Sequence, residues 1–188
     1  MRKRQEIQEL LRKRDRQIAV KLGTLKYFTA LITGPQQPHQ QAYLSALATC
    51  PKVEVLMGKF KMRNVRCDVR GCNFRGSRWF PVPEEKRTDV NIATAMLDDA
   101  FDDLADRFVL VSGDSDLVPA VERLKARFPT KEVIVYVPAR NEVRGAATEL
   151  RGAANRARTL PQLLLGVSQF PASLPDGRGG TIHKPTEW

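Results

Sequence analysis

Strand-like and helix-like hydrophobic spacings alternate along this chain. Between residues 2 and 19, Ile7, Leu10, Leu11 and Ile18 stand among Lys, Arg and Gln at intervals that place them on one stripe, which predicts a basic amphipathic helix. Leu25-Lys-Tyr-Phe-Thr-Ala-Leu-Ile is rich in β-branched and aromatic residues and stops at Gly34-Pro35, the pattern of a buried strand followed by a loop. Gln40 to Thr49 reads as a helix, and Lys52-Val-Glu-Val-Leu-Met-Gly alternates as a second strand. Two strands flanking a helix form a βαβ unit, which requires a parallel sheet.

Residues 61 to 83 show no helical periodicity and carry Arg63, Arg66, Arg70, Arg75 and Arg78, so they are expected to form an arginine-rich loop or insertion. From Thr88 the pattern sharpens. Ile92, Ala95, Met96, Ala100 and Leu104 fit the buried face of a helix that Thr88 or Asp89 would cap. Phe108-Val-Leu-Val-Ser-Gly reads as a buried strand, and Asp116 to Arg127 as a helix opened by Asp116, with Pro119 in a first turn where its missing N–H costs little. Glu132-Val-Ile-Val-Tyr-Val-Pro is the last clear strand and Glu142 to Arg158 the last helix. The Pro- and Gly-rich segment 168–188 lacks core-forming periodicity and is expected to be an extended tail on a domain of residues 1–167.

A length of 188 residues suits one domain with a proper core plus a tail. Uninterrupted apolar runs such as Phe108 to Val111 fall far short of the roughly 20 residues that span a bilayer, so no membrane association is expected. The basic first residues lead into Gln5, Glu6 and Gln8, unlike a secretion signal, and three cysteines, Cys50, Cys67 and Cys72, suit a reducing compartment, so a cytoplasmic location is expected. The net charge of +10 changes the picture most, because such an excess can neutralise phosphates and release counterions from a nucleic acid; its bland alternative is ordinary solubility charge.

In an open parallel α/β sheet, ligands bind beyond the carboxyl ends of the strands, and Ser112-Gly-Asp-Ser-Asp116 lies at such an end. Asp114 and Asp116 are placed to share a cation, and a third acid, Asp89, begins the preceding helix. Three acids with no histidine or thiolate nearby make a hard oxygen site suited to Mg2+ or Mn2+ rather than Zn2+. Without a metal, like charges this close make one of them hold its proton more readily. The structural alternative is that Asp116 only caps its helix and Asp114 only makes a turn.

The longer string Glu85-Lys-Arg-Thr-Asp-Val-Asn-Ile-Ala, then Asp98-Asp-Ala, then Val109-Leu-Val-Ser-Gly-Asp-Ser-Asp-Leu-Val-Pro resembles the signature of the NYN domain family, LabA-like members of the PIN-like ribonuclease superfamily. Lys26-Tyr-Phe-Thr-Ala, Gln41-Ala-Tyr-Leu, Val53-Glu-Val, Ser168-Gln-Phe-Pro and Pro185-Thr-Glu-Trp extend the likeness over most of the chain from about Leu25. The resemblance implies an α/β fold, a PIN-like Rossmannoid three-layer sandwich with a mostly parallel central sheet. It also implies metal-dependent cleavage of RNA by activated water, with Asp89, Asp114 and Asp116 as the metal-binding, catalytic acids. Lys86 would contact phosphate or steady the cluster, unless it is a solvated lysine at a helix start. Asn91 would serve as an outer hydrogen bonder, unless it is an exposed first-turn residue. Arg87, Ser112, Ser115, Arg75 and Arg78 complete the expected nucleic-acid contacts.

The chain departs from the family at its N-terminus, where members begin with a hydrophobic strand ending in an Asp that supplies the first ligand. Arg12-Lys-Arg-Asp-Arg around Asp15 is too charged for a central strand. Either the sequence starts downstream of the natural beginning, or this member has lost a ligand, with activity kept only if that ligand is supplied otherwise or dispensable. A missing central strand would expose core, which a partner chain, as in a homodimer, or a segment such as Gln17-Ile-Ala-Val-Lys-Leu would have to cover.

Cys67 and Cys72 are spaced as half of a zinc site, the alternative being free thiols or a loop-stiffening pair. Among the nearby arginines, Phe74, Trp79 and Phe80 would either stack on the bases of a single strand or fold inward. His183 reads as a surface residue. Three functions follow as expectations: an RNA endonuclease, a catalytically incomplete module that binds RNA or protein, and a phosphatase using the same acids.

Overall fold

The computed structural model describes residues 22–138 and 147–187. The basic helix expected over residues 2–19 and the substitute strand at Gln17 to Lys21 lie outside the described residues. Strand β1 (Leu25–Thr29), helix α1 (Gln37–Ala48) and strand β2 (Val53–Met57) make the expected βαβ unit. Its strands pair in parallel from Leu25 opposite Val53 to Thr29 opposite Met57.

The second unit supplies most of the core. Helix α2 (Thr88–Phe101) leads to strand β5 (Arg107–Val111), a short 3-10 turn (Ser115–Leu117), helix α3 (Val118–Arg127) and strand β6 (Glu132–Val137). Helix α4 (Thr148–Ala153) and strand β7 (Arg156–Thr159) close it, and β5, β6 and β7 run parallel in that order. Alternation decides which side is buried. Phe108, Leu110, Val133, Val135 and Val137 face Leu117, Val121, Leu124 and Leu150 from the helical layer. Val109 and Val111, on the opposite face, are 57% and 56% exposed.

The expected single central sheet is therefore corrected. Among the described residues, β1–β2 and β5–β6–β7 are separate parallel sheets, because no described strand pairs with both β1 and β5. Helix α2 connects them, with the Asp99 carboxylate 2.6 Å from the Lys26 ammonium on β1.

Three further expectations change. The region expected as a loop over 61–83 is largely a hairpin, β3 (Lys59–Arg66) paired antiparallel with β4 (Trp79–Lys86), and irregular chain is confined to residues 67–78. Its alternation has period two, and Pro81 and Pro83 are accommodated because, among the described residues, β4 has a partner on one side only. The long helix expected to end at Arg158 gives way after α4, where Ala154 turns extended and the Asn155 side chain accepts the Val133 N–H at 2.9 Å, starting β7. Residues 142–146 of that helix lie outside the described residues. Helix α5 (Gln162–Val167) precedes the expected extended tail of 168–188, which contains an antiparallel pair, β8 (Ser173–Pro175) with β9 (Thr181–His183). Phe170 anchors it to α1, its ring 6.1 Å edge-on from that of Tyr43.

Candidate metal centre

Strand β5 ends at Val111, and its next residue is still held to the sheet by the Ser112 N–H donating to the Tyr136 carbonyl at 3.2 Å. The Asp114 N–H donates to Ser112 Oγ at 3.1 Å, and Asp114 Oδ1 accepts the Asp116 N–H at 2.9 Å, so Asp114 caps the 3-10 turn. The cap expected at Asp116 thus falls to Asp114, because a 3-10 turn precedes α3 and moves the first unsatisfied N–H groups upstream. The Asp116 carboxylate is left for other work. Pro119 sits in the first turn of α3 as expected.

Asp89 arrives from the first turn of α2. Neither Thr88 nor Asp89 caps that helix. Arg87 occupies the cap position with φ of 79°, a left-handed conformation that turns the chain sharply from β4 into α2, while Thr88 Oγ1 hydrogen-bonds to Glu85 Oε1. Asp89, Asp114 and Asp116 each offer an oxygen within 4.8 Å of the other two, and all three are exposed. They are the one metal-compatible group of three or more acids, thiols and imidazoles among the described residues. Partial desolvation pushes the Asp89 carboxyl above its ordinary range, and the charges of Asp114, Asp116 and Glu85 push it further. Glu85 is a fourth acid near the cluster that the sequence reading passed over.

An all-carboxylate set with unrelieved mutual repulsion fits a hard divalent cation, Mg2+ or Mn2+, better than a soft one. The surrounding residues divide. Lys86 Nζ lies 2.7 Å from Glu84 Oε1 and is not paired with the three acids. Asn91 donates from Nδ2 to the Met57 carbonyl at 3.4 Å, tying α2 to the end of β2. Ser115 belongs to the 3-10 turn itself. Arg75 and Arg78 lie at the far end of the hairpin, where Arg78 Nη2 donates to the Cys72 carbonyl at 3.3 Å. Cys67 and Cys72 are free thiols, and no third ligand joins them among the described residues. Phe74, Trp79 and Phe80 are exposed rather than folded inward.

No helix of the described residues is long and apolar enough to cross a membrane. No solved structure matches this chain. A curated relative, 6-hydroxy-3-succinoylpyridine 3-monooxygenase HspA of Pseudomonas putida (strain DSM 28022 / S16), is 29% identical over 184 residues, covering 88% of this chain and 57% of the relative. The chain therefore spans little more than half of that protein. The family model for the NYN domain matches residues 7–161, the span that contains β1 to β7 and all three clustered acids, and the chain belongs to the NYN domain family.

Proposed function

We propose that the chain is a metal-dependent ribonuclease that hydrolyses RNA phosphodiesters at Asp89, Asp114 and Asp116. The observation that carries this reading is the convergence of three carboxylate oxygens within 4.8 Å at the carboxyl end of β5. A bound Mg2+ or Mn2+ would lower the pKa of water and neutralise the phosphate oxygens. The protein's part is to aim the acids. The 3-10 turn orients Asp114 and Asp116, and the left-handed Arg87 sets the start of α2 so that Asp89 meets them. Family membership adds the nuclease-like fold. Purified chain is expected to cut labelled single-stranded or structured RNA with Mn2+ or Mg2+, and Asp114→Asn to abolish the cutting while keeping the turn. Equal cleavage by the variant overturns the site, and RNA binding without metal-stimulated cleavage leaves a noncatalytic binding module.

A second reading attaches to a different place. A cavity of about 530 Å³ lies between α1 and the terminal segment, lined by Tyr43, Phe170 and Leu174 together with both histidines of the chain, His39 and His183. Its size suits a small ring-bearing ligand, and the relative named above is by name a monooxygenase of a substituted pyridine. Isothermal titration with 6-hydroxy-3-succinoylpyridine tests this. Heat of binding that disappears in Tyr43→Ala supports it, and no heat rejects it.

A further inference from the structure

The hairpin of β3 and β4 is a two-stranded arm that stands on the metal site. Among the described residues neither strand pairs with a third, and no other element packs substantially against them. An isolated hairpin in water is marginal at best, so an arm this long that exposes apolar side chains is suited to contact with a partner. Trp79 is 58% exposed, Phe74 56% and Phe80 41%. Directly opposed residues share a face and successive ones alternate, which puts Trp79 beside Arg66 on one face of the arm and Phe80 beside Val65 on the other, where Phe74 lies 5.9 Å from Phe80 in a tilted pair, so a strand wrapping the tip meets an aromatic on each side. The aromatic groups are thus gathered at the distal end of the arm, among Arg66, Arg75 and Arg78.

Charge selects the partner. From Lys59 to Arg87 the chain has nine basic residues (Lys59, Lys61, Arg63, Arg66, Arg70, Arg75, Arg78, Lys86 and Arg87) and three acidic ones (Asp68, Glu84 and Glu85). This short segment therefore supplies six of the chain's ten net positive charges. Two such arms would repel each other, which disfavours a second copy, whereas a polyanion with flat groups satisfies charge and aromatic surface together. Duplex nucleic acid hides its base faces; an unpaired strand offers them. The root of the arm completes the case. Lys86 and Arg87 run directly into Thr88 and Asp89, so a strand lying along the arm leads to the acidic cluster.

We propose that the β3–β4 arm is a single-strand grip, in which Trp79, Phe80 and Phe74 stack on unpaired bases while the flanking Lys and Arg side chains follow the phosphates toward the metal site. The choice of RNA as the strand rests on the ribonuclease reading; the grip itself does not require cleavage. The experiment measures binding of the whole chain, in EDTA, to a fluorescein-labelled unpaired oligouridylate of about 12 nucleotides and to a duplex of equal length. Trp79→Leu with Phe80→Leu keeps apolar bulk but removes the stacking platforms, and is expected to weaken unpaired RNA about tenfold or more and to change duplex binding less than about twofold. Arg63→Gln and Arg78→Gln are each expected to reduce the slope of log affinity against log salt by about one. Undiminished affinity in the double leucine variant, with an unchanged circular dichroism spectrum, overturns the grip, as does equal loss for duplex. Sedimentation that shows the wild type dimeric and the double variant monomeric assigns the aromatics to a second copy and also overturns it. A chain that binds through the arm yet never cuts overturns the nuclease reading alone. One that cuts while the leucine variant binds normally overturns the grip alone.

Discussion

The repulsion stored in the acidic cluster gives a measurable sign. Asp116→Asn removes one of three charges without changing side-chain shape, and the turn survives because it is the Asp116 backbone N–H, not its carboxylate, that binds Asp114. Two unit charges 4.8 Å apart repel by about 0.9 kcal/mol in water-like surroundings, so losing two such pairs is worth about 1–2 kcal/mol before salt screening. In EDTA at low ionic strength the variant is therefore expected to be more stable than the wild type in urea denaturation. A divalent ion at about 100 times its dissociation constant stabilises the wild type by about 2.7 kcal/mol and the variant by clearly less, which reverses the order. The pH dependence has a definite sign as well. The folded-state pKa of Asp89 is raised, so between the unfolded value and the folded one the native state binds more protons than the unfolded state. Metal-free stability from this group thus rises as pH falls through the folded pKa, and the gain is absent above it. A variant less stable in EDTA, or metal stabilising both proteins equally, refutes the account of the cluster as a cation site.

Asp114 permits a separation of structure from chemistry: Asp114→Ala and Asp114→Asn relieve the same charge repulsion, but only Asn still accepts the Asp116 N–H, so in denaturant melts Asp114→Ala is expected to fall about 1 kcal/mol below Asp114→Asn, with RNA cleavage lost in both. Gly58 closes the root of the arm, where an added Cβ would lie 2.7 Å from Thr88 Oγ1 and 2.9 Å from the Lys86 carbonyl oxygen. Gly58→Ala is expected to cost about 1–3 kcal/mol and to lower cleavage more than RNA affinity; a fully active, fully stable variant counts against a rigid root. Lys131 is 7% exposed, its ammonium bonded to Asp103 Oδ1 at 2.5 Å and the Ala105 carbonyl at 2.8 Å, so Lys131→Met should cost roughly 1–3 kcal/mol by chemical denaturation. Leu150→Ala, at a fully buried core position, should cost about 2–5 kcal/mol, and a loss under 1 kcal/mol would mean that the core is not packed as described.

What the sequence revealed follows from how local the signal was. Strands β1, β2, β5 and β6 announce themselves through dense apolar runs, and Asp114 and Asp116 are marked by their place just after one of those runs. The arm reads as a loop because its alternation mixes arginines with aromatics and includes Pro81 and Pro83, features that suggest irregular chain unless the second strand has no neighbour on one side, as holds among the described residues. The cap sits at Asp114, two residues before the position the helix pattern points to, since a 3-10 turn leaves no periodic mark of its own. Lys131 reads as a surface lysine until the chain folds and Asp103 and Ala105 converge on it. The division of the sheet is a tertiary fact about which strands meet, and no spacing within a strand records it.

The position of the arm relative to the acids explains why the chain tolerates such an exposed site. Carboxylates open to water hold a cation weakly and admit many anions, so neither selectivity nor residence would come from the cluster alone. A separate surface that holds a polymer raises the local concentration of its phosphates at the acids, and a short, stiff connection makes that gain largest. Here the connection is a regular paired strand: the distal aromatics begin β4, about 20–23 Å along it from Lys86, Arg87 makes the left-handed turn, and Asp89 already belongs to α2. Lys26 with Asp99 and Asn91 with the Met57 carbonyl fasten that helix to the β1–β2 unit, so the turn cannot pivot freely. The acidic cluster and the arm are two ends of one braced segment, so under the proposed grip binding by the arm would become orientation at the acids.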